Sequence, residues 1–398
     1  MSVLKLSERI YSVGVLNPNM RIFDVIMATE HGTTYNAYVV KGDSHTALID
    51  AVHENFWDDH LANLNEVVDL STVDYLFCNH TEPDHSGSVK KILAINPNIK
   101  IVASAAGIKN IQGIINQDFN GIVAKDNMVF DLGGVTLRTI IAPMLHWPDS
   151  LFTWCEEEKV LFSCDFLAAH YCEPRMFDDL VTYPKYYEQA VKVYYDAIFS
   201  PFKPFVLDGL RKIKDLDIKL VATSHGPILR SSIKTVMEKY EQWSMPKTHE
   251  GIKALILYVT SYGYTRQIAD FIKDYLTDKY QAEVESYNVI EHEMDMFAKK
   301  IEEADLLLIG SPTINRDALK PIWDVTGLIT PFANKGKPAL VFGSYGWSGE
   351  GVPMIVERLK GLKLNVVGDG VRVVFKPNQK EFEEIKLAVD ELMKQVKK

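Results

Sequence analysis

The 398-residue sequence predicts a two-domain α/β protein, and three observations lead to this prediction. The chain exceeds the size that one ordinary hydrophobic core supports. Its first part contains short β-rich runs followed by helical stretches, which is typical of a layered α/β or β-sandwich arrangement with helices outside. Its last part alternates strands and helices regularly, which is typical of a doubly wound parallel sheet.

In the first part, each run of β-forming residues is bounded by Gly, Asp, Asn or Pro. These runs predict strands at residues 35–40, 46–50, 73–78, 100–103, 135–141, 151–155, 160–163 and 218–223. Helices are predicted over residues 184–199 and 204–214, and a further helix ends near Trp243.

Residues 244–251 are mostly polar, include Pro and Gly, and predict a linker between a first domain over residues 1–247 and a second over 252–398. In the second domain, strands are predicted at residues 253–259, 282–287, 304–310, 338–342 and 371–374. They alternate with helices that begin near residues 265, 294, 319, 351 and 379. Such β-α steps build a doubly wound sheet.

Composition and charge exclude several classes of function. The net charge is −10 and no Lys/Arg-rich stripe is present, which argues against nucleic acid or anionic membranes as partners. No run reaches the roughly 18 apolar residues of a membrane span, and the start lacks a signal-peptide pattern, so a cytoplasmic location is expected. The four cysteines form no CxxC pair, which argues against a zinc ribbon or an appended rubredoxin module.

The segment from His80 to His85, His-Thr-Glu-Pro-Asp-His, is the strongest signal for a metal site. It places four candidate ligands in six residues, between a predicted strand and a helix that begins near Ser86. His80 and Glu82 are two residues apart and can face one ion, while Asp84 and His85 can serve a second ion beside it. We therefore expect this loop to wrap around metal.

Three further candidates, His146, Asp165 and His225, each follow an apolar run at a turn-like position. A buried His or Asp at a strand end needs a partner, because an unpaired buried charge is costly. With Asp165 as a bridge, each of two ions would have three further ligands. Glu82 makes the set richer in hard oxygen ligands and so favours iron, although manganese and zinc also accept such ligands. The competing interpretation is that these residues are ordinary caps, turns and core histidines.

Three loops of the second domain have the composition of a flavin site. The segment 258–265 supplies hydroxyl groups and Gly263 at a helix N-terminus, without Lys or Arg, so main-chain N–H groups would bind a phosphate monoester. The segments 310–315 and 342–349 follow later strands, and Tyr345 and Trp347 are candidates for stacking on a flat ring. Because all three loops lie at carboxyl ends of strands in one predicted sheet, the set predicts FMN. The predicted contacts are Thr260, Ser261, Tyr262, Gly263, Tyr264, Thr265, Pro312, Thr313, Ile314, Asn315, Ser344, Tyr345, Gly346, Trp347, Ser348 and Gly349.

Taken together, these motifs resemble those of the flavodiiron proteins (A-type flavoproteins) over essentially the whole chain. The resemblance rests on His80-x-Glu82-x-Asp84-His85, His146-Trp-Pro-Asp149, Asp165, His225-Gly226, the run Gly32-Thr-Thr-Tyr-Asn-Ala37 and the flavin loops. It implies a metallo-β-lactamase-like αββα sandwich that carries two irons. A flavodoxin-like doubly wound parallel sheet that carries FMN would follow.

The resemblance also implies roles for individual residues. One iron would be held by His80, Glu82 and His146, the other by Asp84, His85 and His225, with Asp165 as the bridge. His170 and Tyr195 would donate hydrogen bonds to bound oxygen species. Some members have a His soon after the Phe of an Arg-x-Phe segment, where this chain has Phe23-Asp24-Val25, so the substrate pocket is expected to differ there.

The activity implied is reduction of dioxygen to water, of nitric oxide to nitrous oxide, or both. Electrons would pass through FMN from rubredoxin, from its reductase or from reduced coenzyme F420. A head-to-tail homodimer, or a dimer of such dimers, would bring one subunit's FMN to the other's irons. Two alternatives remain: a binuclear hydrolase with a flavodoxin appendage, and an electron-transfer flavoprotein with a vestigial metal site.

Overall fold

A computed structural model describes residues 3–25, 27–246 and 250–396. The chain divides into two compact units, Met1–Met245 and Pro246–Lys398. The predicted domain end at residue 247, and the linker residues 247–249, lie outside the described residues. Each unit has its own sheets and its own hydrophobic core.

Two sheets form the centre of the first unit. A mixed seven-stranded sheet has the order β1-β2-β7-β8-β9-β10-β11, and a five-stranded sheet has the order β12-β13-β14-β15-β16. Two short antiparallel strand pairs, β3 with β6 and β4 with β5, complete the strands of this unit among the described residues. The bounds are β1 Leu4–Lys5, β2 Ile10–Ser12, β3 Val15–Asn17, β4 Ile22–Phe23, β5 Met27–Ala28, β6 Thr33–Tyr35, β7 Tyr38–Lys41, β8 Thr46–Ile49, β9 Tyr75–Phe77, β10 Lys100–Ala103, β11 Asn120–Val123, β12 Val129–Asp131, β13 Thr136–Ile141, β14 Leu151–Cys155, β15 Val160–Cys164 and β16 Leu220–Thr223.

Helices cover the outer face of each sheet. The α-helices are α1 Trp57–Val67, α2 Pro83–Ser86, α3 Val89–Ile95, α4 Ala105–Ile115, α5 Pro184–Tyr194, α6 Lys203–Ile213 and α7 Ile233–Ser244. A π-helical turn, Tyr195–Phe199, follows α5, and 3-10 turns lie at Glu54–Phe56, Leu70–Thr72, Asp178–Leu180 and Ser200–Phe202.

Strand alternation separates three layers of core in this unit. In β9, Leu76 packs with the residues of α1, α3 and α4, whereas Phe77 points into the core between the sheets. In β15, Phe162 faces the same central core, whereas Leu161 packs against the layer of α5, α6 and α7. The order helix, sheet, sheet, helix is the predicted αββα sandwich, which is confirmed.

Several predicted elements differ in detail. The run 35–40 is split into β6 and β7, because the Asn36 N–H donates to the Ser224 carbonyl instead of continuing a ladder. The helices α1 and α4 were not predicted, since their segments lie among β-rich runs. In α4, tertiary packing of Ile111 and Ile115 outweighs the modest helix propensity of their β-branched side chains.

The second unit is a parallel sheet of six strands with helices on both faces, as predicted. Its order is β18-β17-β19-β22-β23, and β24 also pairs with β22. The strands are β17 Lys253–Tyr258, β18 Glu283–Asn288, β19 Leu306–Gly310, β22 Pro338–Tyr345, β23 Asn365–Val366 and β24 Val371–Val374, with a small hairpin of β20 Thr313–Ile314 and β21 Asp317–Ala318. The helices are α8 Tyr264–Tyr280, α9 Met296–Glu303, α10 Lys320–Gly327, α11 Pro331–Asn334, α12 Gly351–Gly361 and α13 Gln379–Lys394, with a 3-10 turn at Val289–Glu291.

The topology of this sheet creates a switch point at β17. The chain passes from β17 to β18 on one side and then to β19 on the other, so the two crossovers leave in opposite directions. Leu255 and Leu257 pack with the residues of α9, α10 and α12, whereas Ile256 packs with those of α8 and α13. Ligands of doubly wound folds bind outside the carboxyl ends of the strands at such a point.

Among the helices of the described residues, none combines the length and the apolar character that crossing a bilayer requires.

Candidate functional site

The seven candidate metal ligands of the first unit are brought together at the carboxyl ends of strands from both sheets. They occupy these positions: His80 follows β9; Glu82 precedes α2; Asp84 and His85 lie in α2; His146 lies between β13 and β14; Asp165 follows β15; His225 follows β16. Residues separated by up to 145 positions in sequence therefore share one buried site.

One part of the cluster, here called the first ligand group, consists of His80, Glu82 and His146. The Nε2 atoms of His80 and His146 lie 3.2 and 3.1 Å from the same Glu82 oxygen, Oε2. The same two nitrogens lie 3.8 and 3.7 Å from Oδ2 of Asp165. These donor atoms all lie within 4.8 Å of one another, close enough to share one ion.

The second ligand group consists of Asp84, His85 and His225. Asp84 lies 3.0 Å from the Nε2 atom of His225 through Oδ2 and 3.4 Å from the Nε2 atom of His85 through Oδ1. Oδ1 of Asp165 lies 3.1 Å from the His85 nitrogen and 3.4 Å from the His225 nitrogen. Asp165 thus turns one oxygen toward each group, which is the geometry of a bridging carboxylate.

The cluster leaves buried polar atoms unpaired within the described part of the chain. Both carboxylate oxygens of Asp84 and of Asp165, and both ring nitrogens of His85, lack a hydrogen-bond partner there. Burying such atoms without compensation is costly, and cations are the partners that carboxylate and imidazole atoms converging in this way can accept. The donor set therefore fits two metal ions, and its mixture of imidazole and carboxylate suits iron.

The pKa values of the ligands show that metal binding would displace protons from the site. Burial by itself lowers the pKa of His85, but the carboxylates of Asp84 and Asp165 outweigh it and raise the pKa to about 10. Burial raises the pKa of Asp165, but His85 and His225 hold it well below its usual value. In the metal-free protein His85 therefore keeps a proton that metal binding must displace, so we expect metal affinity to fall as the pH falls.

The run 32–37 holds the loop that carries His225. The Thr34 carbonyl accepts a hydrogen bond of 2.6 Å from Nδ1 of His225, and the Thr34 hydroxyl accepts one of 2.8 Å from the Gly226 N–H. Asn36 donates to the Thr223 and Gly226 carbonyls at 2.8 and 3.0 Å. A Cβ atom on Gly226, whose φ is +71°, would lie 2.4 Å from the Ala169 carbonyl oxygen, so this position requires glycine.

His170 and Tyr195, predicted to act on bound oxygen species, occupy different surroundings. The His170 ring centroid lies 4.8 Å from that of His225, its Nδ1 atom is 2.8 Å from the Thr33 hydroxyl, and its buried Nε2 atom has no partner among the described residues. Burial and the neighbouring His225 hold the pKa of His170 well below its usual value.

The Tyr195 hydroxyl, by contrast, is hydrogen bonded with Ser244 at 2.7 Å, and its ring packs on Tyr240 and Trp243. The ring centroid of its neighbour Tyr194 lies 4.9 Å from that of His170 and 6.2 Å from that of His225. The structure therefore favours Tyr194 over Tyr195 as the pocket tyrosine. From the sequence, two adjacent tyrosines in one helical stretch gave no means of choosing between them.

Asp24 occupies the position where the sequence departs from some relatives. Its side chain is hydrogen bonded with Glu82 of the first ligand group. Burial, followed by the nearby Glu82 charge, raises the pKa of Asp24 to about 6. An acidic side chain therefore stands at the edge of the metal cluster, on the hairpin of β4 and β5.

In the second unit, the three predicted flavin loops lie side by side. Tyr258 pairs with Gly310 at the end of β17 and β19, and Gly310 pairs with Phe342 in β22. The loops after these strands consequently leave the same edge of the sheet. The predicted contacts are spread over these loops and the short β20–β21 hairpin.

The N-terminus of α8 is open for an anion. Gly263 precedes the helix with φ of +84°, the helix has no side-chain cap, and a Cβ atom there would meet nothing within 4 Å. The first N–H groups of a helix have no partner within the helix, so a phosphate can accept from them. Thr260 orders the loop by accepting a 3.0 Å hydrogen bond from the Gly263 N–H, and Thr265 is hydrogen bonded with Ser344 at 3.0 Å.

Aromatic side chains at this edge are unusually exposed. Tyr262 and Trp347 keep 85% and 82% of their surface in solvent, as expected for rings that await a flat partner. Phe375, which follows β24, is 56% exposed, and its N–H donates to the Tyr345 carbonyl at 2.8 Å. Phe375 was missed in the sequence, although its place after a predicted strand was the signal that could have identified it.

Each unit matches a known protein family. The family model "ODP family beta lactamase" matches residues 33–226, and the flavodoxin model matches residues 256–388. The chain is 46% identical to the flavo-diiron protein FprA2 of Clostridium acetobutylicum, over 95% of this chain and 96% of that protein.

Two further relatives carry names that describe an activity. The nitric oxide reductase of Moorella thermoacetica is 34% identical over 92% of this chain and 91% of its own length. The solved structure of rubredoxin oxygen:oxidoreductase from Desulfovibrio gigas superposes with a TM-score of 0.70 at 26% identity, covering 100% of both chains.

The bridging position generates a prediction about metal content. We expect Asp165→Asn, which keeps the shape of the side chain and removes its charge, to lower bound metal from two ions per chain to one or fewer. Elemental analysis of the purified variant measures this, and Asp178→Asn, at a multiply hydrogen-bonded carboxylate near α7, is the matched control. Full retention of both ions in Asp165→Asn would contradict the bridging assignment.

Proposed function

This chain belongs to the flavodiiron protein family, and from that premise we propose that it reduces dioxygen to water, nitric oxide to nitrous oxide, or both. It is an oxidoreductase whose cofactors are FMN and two non-haem irons. The observation that carries the proposal is the buried pair of ligand groups joined by Asp165, because two adjacent metal positions provide a place for two oxygen or two nitrogen atoms side by side.

We assign one iron to the first ligand group and the other to the second, with Asp165 between them. FMN is assigned to the carboxyl edge of the second unit, with its phosphate at the open N-terminus of α8. Its ring would lie among the exposed aromatic side chains, of which Tyr262 and Trp347 are the largest. Glu82 in the first ligand group favours this redox site over a zinc hydrolase, because the carboxylate makes the site harder.

The electron count agrees with both reactions. Reduction of dioxygen to two waters takes up four electrons and four protons, whereas joining two nitric oxides into nitrous oxide and water takes up two of each. When bound, the diferrous pair supplies two electrons and reduced FMN supplies two more. The protein's own contribution is to fix the ligands, exclude bulk water and place polar groups beside the substrate.

His170 is the best-placed polar group for that role. Its ring packs on His225 while Nε2 remains without a partner in the described part of the chain. Because the pKa of His170 is held well below its usual value, the ring is neutral and carries one N–H. We propose that Nε2 is the atom that meets bound substrate, with Thr33 fixing the ring through Nδ1.

The electrons must come from an external donor. A rubredoxin partner is supported by the name of the Desulfovibrio gigas relative, which is called a rubredoxin oxygen:oxidoreductase. A rubredoxin reductase and reduced coenzyme F420 are the other donors we propose. Purified protein reduced with each donor in turn identifies the one that sustains gas consumption.

We further propose a head-to-tail homodimer in which one subunit's FMN faces the other's irons. Exposed apolar side chains near each site support this dimer, because a partner subunit could cover them. They are Ile22 and Val25 on the hairpin beside Asp24, and Tyr262 and Trp347 at the flavin edge. We expect turnover per chain to fall when dilution separates the subunits. Sedimentation velocity and gas consumption measured at the same concentrations test this, and a monomer with full turnover would rule the arrangement out.

The activity is tested by removing a ligand of the second group. We expect His85→Ala to reduce dioxygen and nitric oxide consumption by about two orders of magnitude or more, since even outer partners of metal ligands contribute 10–100-fold. Gas electrodes under anaerobic addition of each gas to reduced protein measure the rate, and bound FMN should be unchanged. His45→Ala, at a half-exposed histidine paired with Asp74, is the control.

Three results would argue against the proposal. Wild-type rates in His85→Ala would show that the ligand assignment is wrong. Hydrolysis of a lactam or ester by zinc-loaded protein would favour the hydrolase. No gas consumption by reduced, iron-loaded wild type would favour a simple electron-transfer flavoprotein.

The flavin assignment has its own test. We expect the double variant Thr260→Val and Thr265→Val to bind FMN at least about tenfold more weakly, because each lost hydroxyl removes a hydrogen bond worth about 1 kcal/mol. Flavin fluorescence titration of the apoprotein measures affinity, and iron content should not change. Thr277→Val, on the exposed side of α8, is the control, and equal affinities of the two variants would contradict the assigned loop.

A further inference from the structure

In three of the ligand histidines the Nε2 atom faces the other ligands, and the Nδ1 atom on the opposite side of the ring has different surroundings in each. Nδ1 of His80 lies 3.2 Å from Oδ2 of Asp149, whose side chain is fully buried. Nδ1 of His225 donates instead to the uncharged Thr34 carbonyl at 2.6 Å. Nδ1 of His85 has no hydrogen-bond partner among the described residues. A buried carboxylate therefore lies within hydrogen-bond distance of Nδ1 of a histidine of the first ligand group, whereas among the described residues neither histidine of the second group has such a contact at Nδ1. The buried Asp50 acts on His85 through space, without a hydrogen bond to it.

The hydrogen-bond network around Asp149 determines which groups donate and which accept. Asn110 of α4 donates from its amide nitrogen to the Thr81 hydroxyl at 2.9 Å, so that hydroxyl gives its own proton to Asp149 at 2.6 Å. The Thr81 N–H donates to the same oxygen at 2.7 Å. Asp149 is surrounded by donors and acts as an acceptor, which leaves the ring proton on Nδ1 of His80 and the Nε2 lone pair free for metal.

We propose that Asp149 is a positioning residue that makes the two irons inequivalent. It strengthens the binding of the iron held by the first ligand group and increases the electron density that His80 donates to that iron. A carboxylate behind an imidazole fixes its tautomer and orientation and raises its basicity as a ligand. The same fixed negative charge favours the more positive ferric state over the ferrous state. The iron of the first group is then retained more strongly and is harder to reduce than its neighbour. This inference rests on the ligand assignment of the proposed function.

The test is Asp149→Asn in the full-length, iron-loaded protein. We expect one of the two irons per chain to bind about 10–100-fold more weakly in competition with a ferrous chelator, while the other is retained. In a potentiometric titration followed by the EPR signal of the mixed-valence pair, the lower of the two midpoint potentials should rise. The separation between the two one-electron steps should therefore narrow.

Two further variants complete the experiment. Thr81→Val keeps the Asp149 charge but removes one donor to it, so the carboxylate accepts more strongly from His80 and the separation should widen. Asp178→Asn removes another hydrogen-bonded carboxylate of the same unit and should change neither chelation nor potentials.

The outcomes separate the inference from its premise. Equal weakening of both irons in Asp149→Asn, or unchanged potentials, would show that Asp149 only supports the fold around the site. A narrowed or unchanged separation between the two midpoint potentials in Thr81→Val would also overturn the inference. Fewer than two irons per chain in the wild-type protein would instead remove the ligand assignment itself.

Discussion

Three carboxylates and four imidazoles are gathered in the interior of the first unit, and this concentration of buried charge is the constraint on which the site depends. Several of their atoms have no hydrogen-bond partner in the described chain, and in the protein alone only ion pairs between histidines and carboxylates offset the cost of burial. Apolar packing on three layers of core holds the cluster in place despite that cost. Metal ions would offset this cost by binding to the same carboxylates and imidazoles.

The αββα architecture explains why distant residues can meet there. Strands from both sheets end at the same edge of the sandwich, and the loops that follow them carry the ligands. The strand interiors are filled by residues such as Phe77 and Phe162, which pack between the sheets. The polar ligands are therefore confined to the segments after the strands, where the run 32–37 and Asp149 orient His225 and His80.

In the second unit, the candidate flavin loops also follow the carboxyl ends of strands, but they leave several of their candidate binding groups exposed. Its strand ends leave backbone N–H groups open at α8 and aromatic rings exposed, which suits a cofactor that must exchange electrons with a partner. The metal ligands are buried, whereas the flavin edge is largely accessible. This contrast agrees with a division of labour in which one unit accepts electrons and the other uses them.

The sequence by itself determined the two-domain α/β class, and it identified seven candidate metal ligands and three candidate flavin loops, because local spacing and strand-end chemistry are visible in one dimension. It did not predict α1 and α4, where burial of residues such as Ile111 outweighs local propensity. It also could not distinguish Tyr194 from Tyr195, since that choice depends on which side of the helical stretch faces the site. Only the tertiary structure decided that Asp165 turns one oxygen to each ligand group and that Asp149 backs His80, because both facts concern atoms brought together by long-range folding.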